Sequence, residues 1–152
     1  MRLKQILFAL PVAAVLAAGC SSNTIGPNEI TVNDMVGVWN ITKIEYVADQ
    51  GGNTVDLIKD NHVAATITVL SSGAYTETIS IPGVPATTIT GNFTVQNNTI
   101  VNNQTGANAR SVNVTRTGDT ITFIDEGATF DFDSSPATPE TGADLTMIWQ
   151  KQ

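Results

Sequence analysis

An all-β fold, an antiparallel up-and-down barrel of eight or nine strands, is what this 152-residue sequence predicts. Three observations lead there. Beyond residue 20, threonine is the commonest residue, valine and isoleucine are abundant and leucine is scarce. β-Branched side chains of this kind suit a pleated, half-buried surface and are mediocre in helices. From Val36 onward, apolar and polar residues alternate in short runs divided by turn residues, the pattern of strands with one buried face. No long segment repeats its apolar residues at about 3.6 positions, so no substantial helix is expected.

The first residues are of another kind. Arg2 and Lys4 precede an apolar run from Ile6 to Ala18, interrupted only by Pro11. That run is shorter than the roughly 20 apolar residues needed to span a bilayer. A charged start, a short apolar middle and small residues before a cut define a secretory signal over residues 1–19. Leu16-Ala17-Ala18-Gly19-Cys20 resembles the lipobox of bacterial lipoproteins. The resemblance implies that Cys20 becomes the first mature residue, carrying thioether-linked diacylglycerol and an N-acyl chain such as palmitate. Membrane lipid is then its first partner. Ser21 in place of an aspartate implies sorting to the outer membrane, facing the periplasm or the exterior. The alternative is an ordinary secretory signal followed by a chance cysteine.

Cys20 is the only cysteine, and lipid on it leaves no intramolecular disulfide despite an oxidising destination. Stability must come from an apolar core. Zinc and haem sites built on Cys/His clusters are excluded, because His62 is the only histidine; no cofactor is expected. After the signal, the basic residues are Lys43, Lys59, Arg110, Arg116 and Lys151, against 14 acidic ones. Without a basic stripe to neutralise phosphates, nucleic acid is not a partner. Without a polybasic patch, membrane attachment rests on the acyl chains, at about 0.8 kcal/mol per buried methylene.

Residues 20–33 are polar, contain Gly26 and Pro27, and read as a tether to a domain spanning 34–152. Asn33 or Asp34 is placed to cap one helical turn before the fold begins. The first strand covers Val36 to Ala48 and ends at the turn cluster Asp49-Gln50-Gly51-Gly52-Asn53. Trp39 and Ile41 share one face of it, while Ile44 and Tyr46 have the opposite parity. A β-bulge near Thr42-Lys43 would bring both pairs to the same side. Val63, Ala65, Ile67 and Val69 alternate with polar or small residues, and Ser71-Ser72-Gly73 returns the chain into Ala74–Ile81 as a hairpin. Pro82-Gly83-Val84-Pro85 breaks the next connection. Thr88–Gln96 follows, with Ile89, Gly91, Phe93 and Val95 on one face. Asn97-Asn98 leads to a short run at Thr99–Asn102, and Arg110–Arg116 turns through Thr117-Gly118-Asp119 into Thr120–Asp125. A further run covers Thr129–Asp133. The last, Ala143–Lys151, aligns Leu145, Met147 and Trp149. Sequential antiparallel strands of this number favour a barrel, which leaves no free edges.

Gly37-Val38-Trp39, at the start of the first long strand and just after the helical turn, resembles the signature of the lipocalins. The resemblance extends loosely over Asp34–Gln152, as in the small lipocalin-like domains carried by many bacterial lipoproteins. It implies an eight-stranded barrel in which Gly37 and Trp39 are structural, the tryptophan closing one end. The family's Thr-Asp-Tyr loop and final arginine are absent, and Lys151 is placed to take the arginine's position over Trp39.

Catalysis finds little to stand on. There is no Gly-x-Ser-x-Gly, and His62 begins a strand beside Asn61 with no serine partner, reading as a surface residue. Asp125, Glu126, Asp131 and Asp133 match no calcium loop and read as a solvated rim, with Phe130 and Phe132 facing the core. No motif nominates a facing carboxylate pair for glycoside hydrolysis. The chain is therefore not expected to be an enzyme. Polar residues at apolar parity carry more. Glu77 shares a face with Tyr75, Ile79 and Ile81, and Arg110 and Arg116 share theirs with Val112 and Val114. Lining a lumen, Glu77 and Arg110 would orient the polar end of a ligand in a mostly apolar pocket; at strand ends, their long stems would carry them to solvent.

A barrel of eight strands is either filled by side chains or holds one small ligand. Ala65 and Gly91 leave room, whereas Phe93, Tyr75, Phe123 and Trp149 fill it. The candidate ligand contacts are Tyr75, Glu77, Ile79, Phe93, Arg110 and Phe123. The leading expectation is a lipid-anchored envelope protein that binds or carries a small, largely apolar ligand. The alternative is a protein-interaction module, an assembly factor or inhibitor, acting through the loops Asp49–Asn61, Pro82–Thr87 and Ser134–Gly142; no sequence feature names its protein partner.

Overall fold

Nine antiparallel strands account for most of the structure, a computed structural model that describes residues 29–50, 52–133 and 140–152. They are β1 (Gly37–Ala48), β2 (Thr54–Asp56), β3 (Ala64–Val69), β4 (Ala74–Ile81), β5 (Val84–Gln96), β6 (Thr99–Gln104), β7 (Arg110–Thr117), β8 (Thr120–Phe130) and β9 (Thr141–Lys151). From β3 to β9 each strand pairs with its neighbour in the chain, and β1 pairs with both β3 and β9. Eight strands therefore close into the predicted barrel, lipocalin-like in form, and β2 is a short extra strand paired with the far end of β1. The signal peptide, Cys20 and the tether as far as residue 28 lie outside the described residues. Among the described residues no helix is long and apolar enough to cross a membrane.

Strand alternation sets the core. In β3, Ala65, Ile67 and Val69 are buried between exposed neighbours. In β1, Trp39 and Ile41 are buried, and so are Ile44, Tyr46 and Ala48, despite their opposite parity. The ladder to β9 shifts register between Ile41 and Lys43, so Thr42 is the extra residue of the predicted bulge. Its Oγ1 donates to the Ile148 carbonyl at 3.3 Å. Gly91 permits another close approach: a Cβ there would lie 2.6 Å from the Tyr75 ring and hydroxyl and 2.7 Å from the Asn103 carbonyl. Tight turns join the strands. Asn97 and Asn98 both have positive φ, 51° and 58°, as a two-residue hairpin turn of the type that matches strand twist requires.

One end of the barrel is closed by the helical turn α1 (Val32–Met35). Trp39 and Met35 are fully buried there, and the Trp39 Nε1 donates to the Met35 carbonyl at 2.7 Å. Lys151 Nζ lies 5.5 Å from the centre of the Trp39 ring, over the face where it interacts favourably with the π system. An ion pair of 2.7 Å between Arg116 and Asp34 ties β7 to α1.

Several connections differ from the sequence reading. The cap of α1 is Thr31, not Asn33 or Asp34; Asp34 instead reaches back, accepting from the Thr31 N–H at 2.9 Å and hydroxyl at 2.7 Å. The stretch Asp49–Asn61 is not simply a loop: it contains β2 and a helical turn, α2 (Leu57–Asp60), capped by the Asp56 carboxylate, which accepts from Ile58 N at 3.0 Å. His62 does not begin a strand; it sits exposed in a left-handed conformation, φ 54°, before β3. Pro82–Thr87 is not an open loop either, because β5 begins at Val84 and Pro82-Gly83 alone makes the turn. Thr120–Asp125 and Thr129–Asp133 are not two strands. One strand, β8, carries the chain to Phe130 through a ladder shift between Asp125 and Ala128.

The wall is uneven at the end opposite α1. β5 pairs with β6 only over Gly91–Gln96, and β8 pairs with β7 only over Thr120–Ile124. Above β6 and β7, Val84–Ile89 of β5 and the residues of β8 past Asp125 thus have no ladder partner on that side among the described residues. Across the barrel, β3 is equally short, but β2 continues its row by pairing with Glu45–Val47 of β1, and α2 packs beside it. The barrel is therefore lowest over β6 and β7.

Candidate functional site

Aromatic rings fill the half of the lumen nearest α1. Tyr75 stacks on Phe93 at 4.3 Å between centroids, Phe93 lies 5.9 Å from Trp149, and Trp149 packs against Phe123 at 4.2 Å and Trp39 at 6.4 Å. The Tyr75 hydroxyl donates to Asn102 at 2.9 Å. Three of the six candidate ligand residues, Tyr75, Phe93 and Phe123, are thus buried against one another and Trp149. Offset and tilted ring pairs of this kind add about 0.5–1.5 kcal/mol each beyond area burial.

The other half is different. Glu77 has the inward parity of Tyr75 and stands in the sheet between Ile67 on β3 and Ile89 on β5. It is half-buried, and among the described residues its carboxylate has neither a hydrogen-bond donor nor an ion-pair partner. Burial pushes that carboxyl up to about 7. Ile79, one step further along the same face, is half-buried beside it.

Arg110 also reaches this compartment, as the sequence allowed, but its charge is already engaged. Its Nε forms an ion pair with Asp125 Oδ2, a carboxylate only 8% exposed. Asp125 Oδ1 accepts from the Gly127 N–H at 3.0 Å, within the irregularity of β8. Asp125 is therefore not part of a solvated rim, whereas Glu126 and Asp133 are exposed. Its parity with the buried Ile121 and Phe123 was the signal that placed it inside. Arg116, by contrast, belongs to the α1 end, with its Nε donating to the Gly118 carbonyl at 2.9 Å.

Tyr46 completes the group, and nothing in the strand pattern distinguished it from an ordinary core residue. It stacks on Phe130 at 4.4 Å, and burial pushes its hydroxyl up to about 12. The negative charges of Asp125, Glu140 and Glu77 push the same way, and Arg110 opposes them. Glu77 acts on Tyr75 too, adding to the effect of burial. Glu77, Arg110, Asp125 and Tyr46 thus share one space of low polarity. Around it, Ile79, Ile89, Val112, Leu145 and Met147 are inward-facing apolar residues that remain partly open.

Two shallow grooves flank the barrel ends. One of about 240 Å³ lies between residues 29–32 and the β5–β6 turn. The other, of about 320 Å³, runs along Ala48, Asn53 and Phe130–Asp133 at the open rim. Here Phe132 meets the edge of Phe130 at 5.0 Å, and both pack against the core as their alternation predicted. Among the described residues no three His, Cys, Asp or Glu side chains converge as a metal site. No protein-family model matches this chain, and no curated protein sequence is significantly similar to it.

Proposed function

We propose that this protein is a lipid-anchored lipoprotein of the cell envelope whose barrel binds a small, largely apolar ligand in the half of the lumen away from α1. The observation that carries this reading is Glu77, an inward carboxylate without a partner among the described residues, set in an apolar wall that stays partly open. A half-buried carboxylate with no protein partner among the described residues is available to a ligand's donor, and a few polar groups in apolar surroundings are typical of ligand sites. Ligand contacts at Tyr75, Phe93 and Phe123 would be indirect, through the ring stack, while Ile79 and Glu77 meet the ligand. Support for a lipocalin-like relative comes from Gly37-Val38-Trp39, with Trp39 buried under Lys151 at the closed end. Anchoring at the outer membrane rests on the residues around Cys20.

Native mass spectrometry of the protein after exposure to envelope lipid extract tests the binding reading. A defined small-molecule adduct is expected, and its loss in Ile79→Glu would place it in the open half; a spectrum of bare protein alone would count against it. Metabolic labelling with an alkyne fatty acid tests the anchor: label is expected on the native chain and absent from Cys20→Ala.

A second reading is favoured by one observation. Val84–Ile89 of β5 presents a strand edge that carries no charge and, among the described residues, has no ladder partner on that side. Such an edge accepts an added strand from a protein partner. A partner lost on Thr87→Pro but retained by Ile79→Glu would favour this interaction module over the ligand carrier.

A further inference from the structure

We infer that the ligand of the open half is an amphiphile with a primary ammonium head, held by Glu77, whose apolar chain lies along Ile79, Ile89 and Met147 and which gains access over the low wall of β6 and β7. This rests on the ligand-binding reading and names the chemistry that the reading leaves open.

The balance of charge decides the head group. The inward positions of this half carry Glu77, between Ile67 and Ile89, and the Arg110–Asp125 pair. Arg110 and Asp125 are paired with each other, so the guanidinium is engaged and Glu77 is the group left over. An anionic head would face surplus negative charge and, among the described residues of this half, would meet no cation but the already paired Arg110. A hydroxyl head would give Glu77 a single hydrogen bond and leave its charge uncompensated. An ammonium brings three donors and no acceptor, which matches a carboxylate without a donor, and the resulting bond is of the stronger, charge-assisted kind. The chain as a whole reinforces the choice, since acidic residues outnumber basic ones by 14 to 7 and a negative field draws cations toward a cleft.

Access follows from the strand lengths. β6 ends at Gln104 and β7 begins at Arg110, while β5 and β8 run past them on either side. The wall is lowest at the level of Arg110, so a ligand passing over it meets the interior where Glu77 faces inward. Ile89 of β5 and Val112 of β7, which flank this gap, are half-buried, whereas Ala65 and Ile67 of β3 across the lumen from β7 are fully covered.

The experiment uses the full chain carrying Cys20→Ala, which removes the proposed acylation site and leaves every described residue unchanged. Dodecylamine, dodecanol and dodecanoate, each below its micelle concentration, are titrated calorimetrically at pH 8. Dodecylamine is expected to bind at least tenfold more tightly than the other two. Glu77→Gln is expected to abolish that preference and leave dodecanol within twofold of its native affinity. Glu126→Gln removes an equal charge from an exposed site and is expected to change nothing, which separates the lumen from general attraction to an acidic surface. Circular dichroism of each variant confirms that the barrel is intact. Binding of dodecanol or dodecanoate as tight as that of the amine, or a preference that survives Glu77→Gln, would overturn the ammonium assignment and leave a ligand carrier standing. Failure of all three to bind would overturn the assignment together with the reading beneath it.

Discussion

Replacing Glu77 by glutamine should stabilise the protein at alkaline pH and leave it nearly unchanged at acid pH. The carboxyl titrates at about 7 in the folded chain against an ordinary 4.5, because burial disfavours its charged form. Between those values the folded state holds the proton more firmly than the unfolded state. Stability therefore falls as pH rises through this window, and the loss is complete above about 7. A separation of this size corresponds to about 3 kcal/mol at most. Glu77 is only half-buried, so solvent screening reduces the realistic figure to about 1–2 kcal/mol. Glutamine has the same shape and cannot ionise. Urea denaturation followed by tryptophan fluorescence at pH 4.5 and pH 8.5 measures the difference, since Trp39 and Trp149 are both buried. The variant should match the native protein within about 0.5 kcal/mol at the lower pH and exceed it by about 1–2 kcal/mol at the higher. Asp125, Arg110, Tyr46 and Tyr75 face the same space, and the exposed Glu140 acts on Tyr46 from outside it, but all are present in both proteins and largely cancel. A stability difference that is the same at both pH values, or a variant weaker at pH 8.5, would show that Glu77 is solvated.

Other perturbations probe the frame. Deleting Thr42 removes the bulge and turns either Trp39 and Ile41 or Ile44 and Tyr46 outward; no soluble folded protein is expected, whereas Thr42→Ser should fold normally by circular dichroism. Gly91→Ala drives a methyl into Tyr75 and Asn103, so a loss of about 1–3 kcal/mol should appear in urea denaturation, with partial recovery in the double variant carrying Tyr75→Leu. Arg110→Ala strands the Asp125 carboxylate and should cost about 3–5 kcal/mol; Arg110→Met combined with Asp125→Leu should restore most of that stability. Trp39→Phe loses the bond to the Met35 carbonyl, and a decrease of about 1–3 kcal/mol is expected.

The barrel was legible because two-residue alternation is a local signal, and it survived even in β1, where the parity break itself located the bulge at Thr42. The stacking of Tyr75 on Phe93 was half visible, since each occupied the inward parity of its strand. The acidic neighbours Glu126, Asp131 and Asp133 make Asp125 read as solvated, whereas its strand parity puts it inside, where it is buried. What single-chain periodicity does not contain is register between strands. Only register shows that Arg110 meets Asp125 and that Glu77 is left between two isoleucines. The fold of Asp49–Asn61 was hidden for a related reason: three residues of β2 are too few to display a period, and their pairing partner is supplied by the far end of β1.

The closure of β1 on β9 also sets an order of assembly. Every junction from β3 to β9 is a hairpin between chain neighbours, and such junctions close small loops quickly. The seam joining Trp39 to Lys151 and Ala48 to Ala143 spans nearly the whole domain, so its loop entropy is met last. Until β9 arrives, the sheet is an open ribbon with two raw edges, prone to pairing with other chains. The final residues then act as a latch, the Gln152 N–H donating to the Val38 carbonyl and its side chain to Asn40. A chain cut short before Thr141 would therefore accumulate as a sticky ribbon, even though most of its hairpins are present.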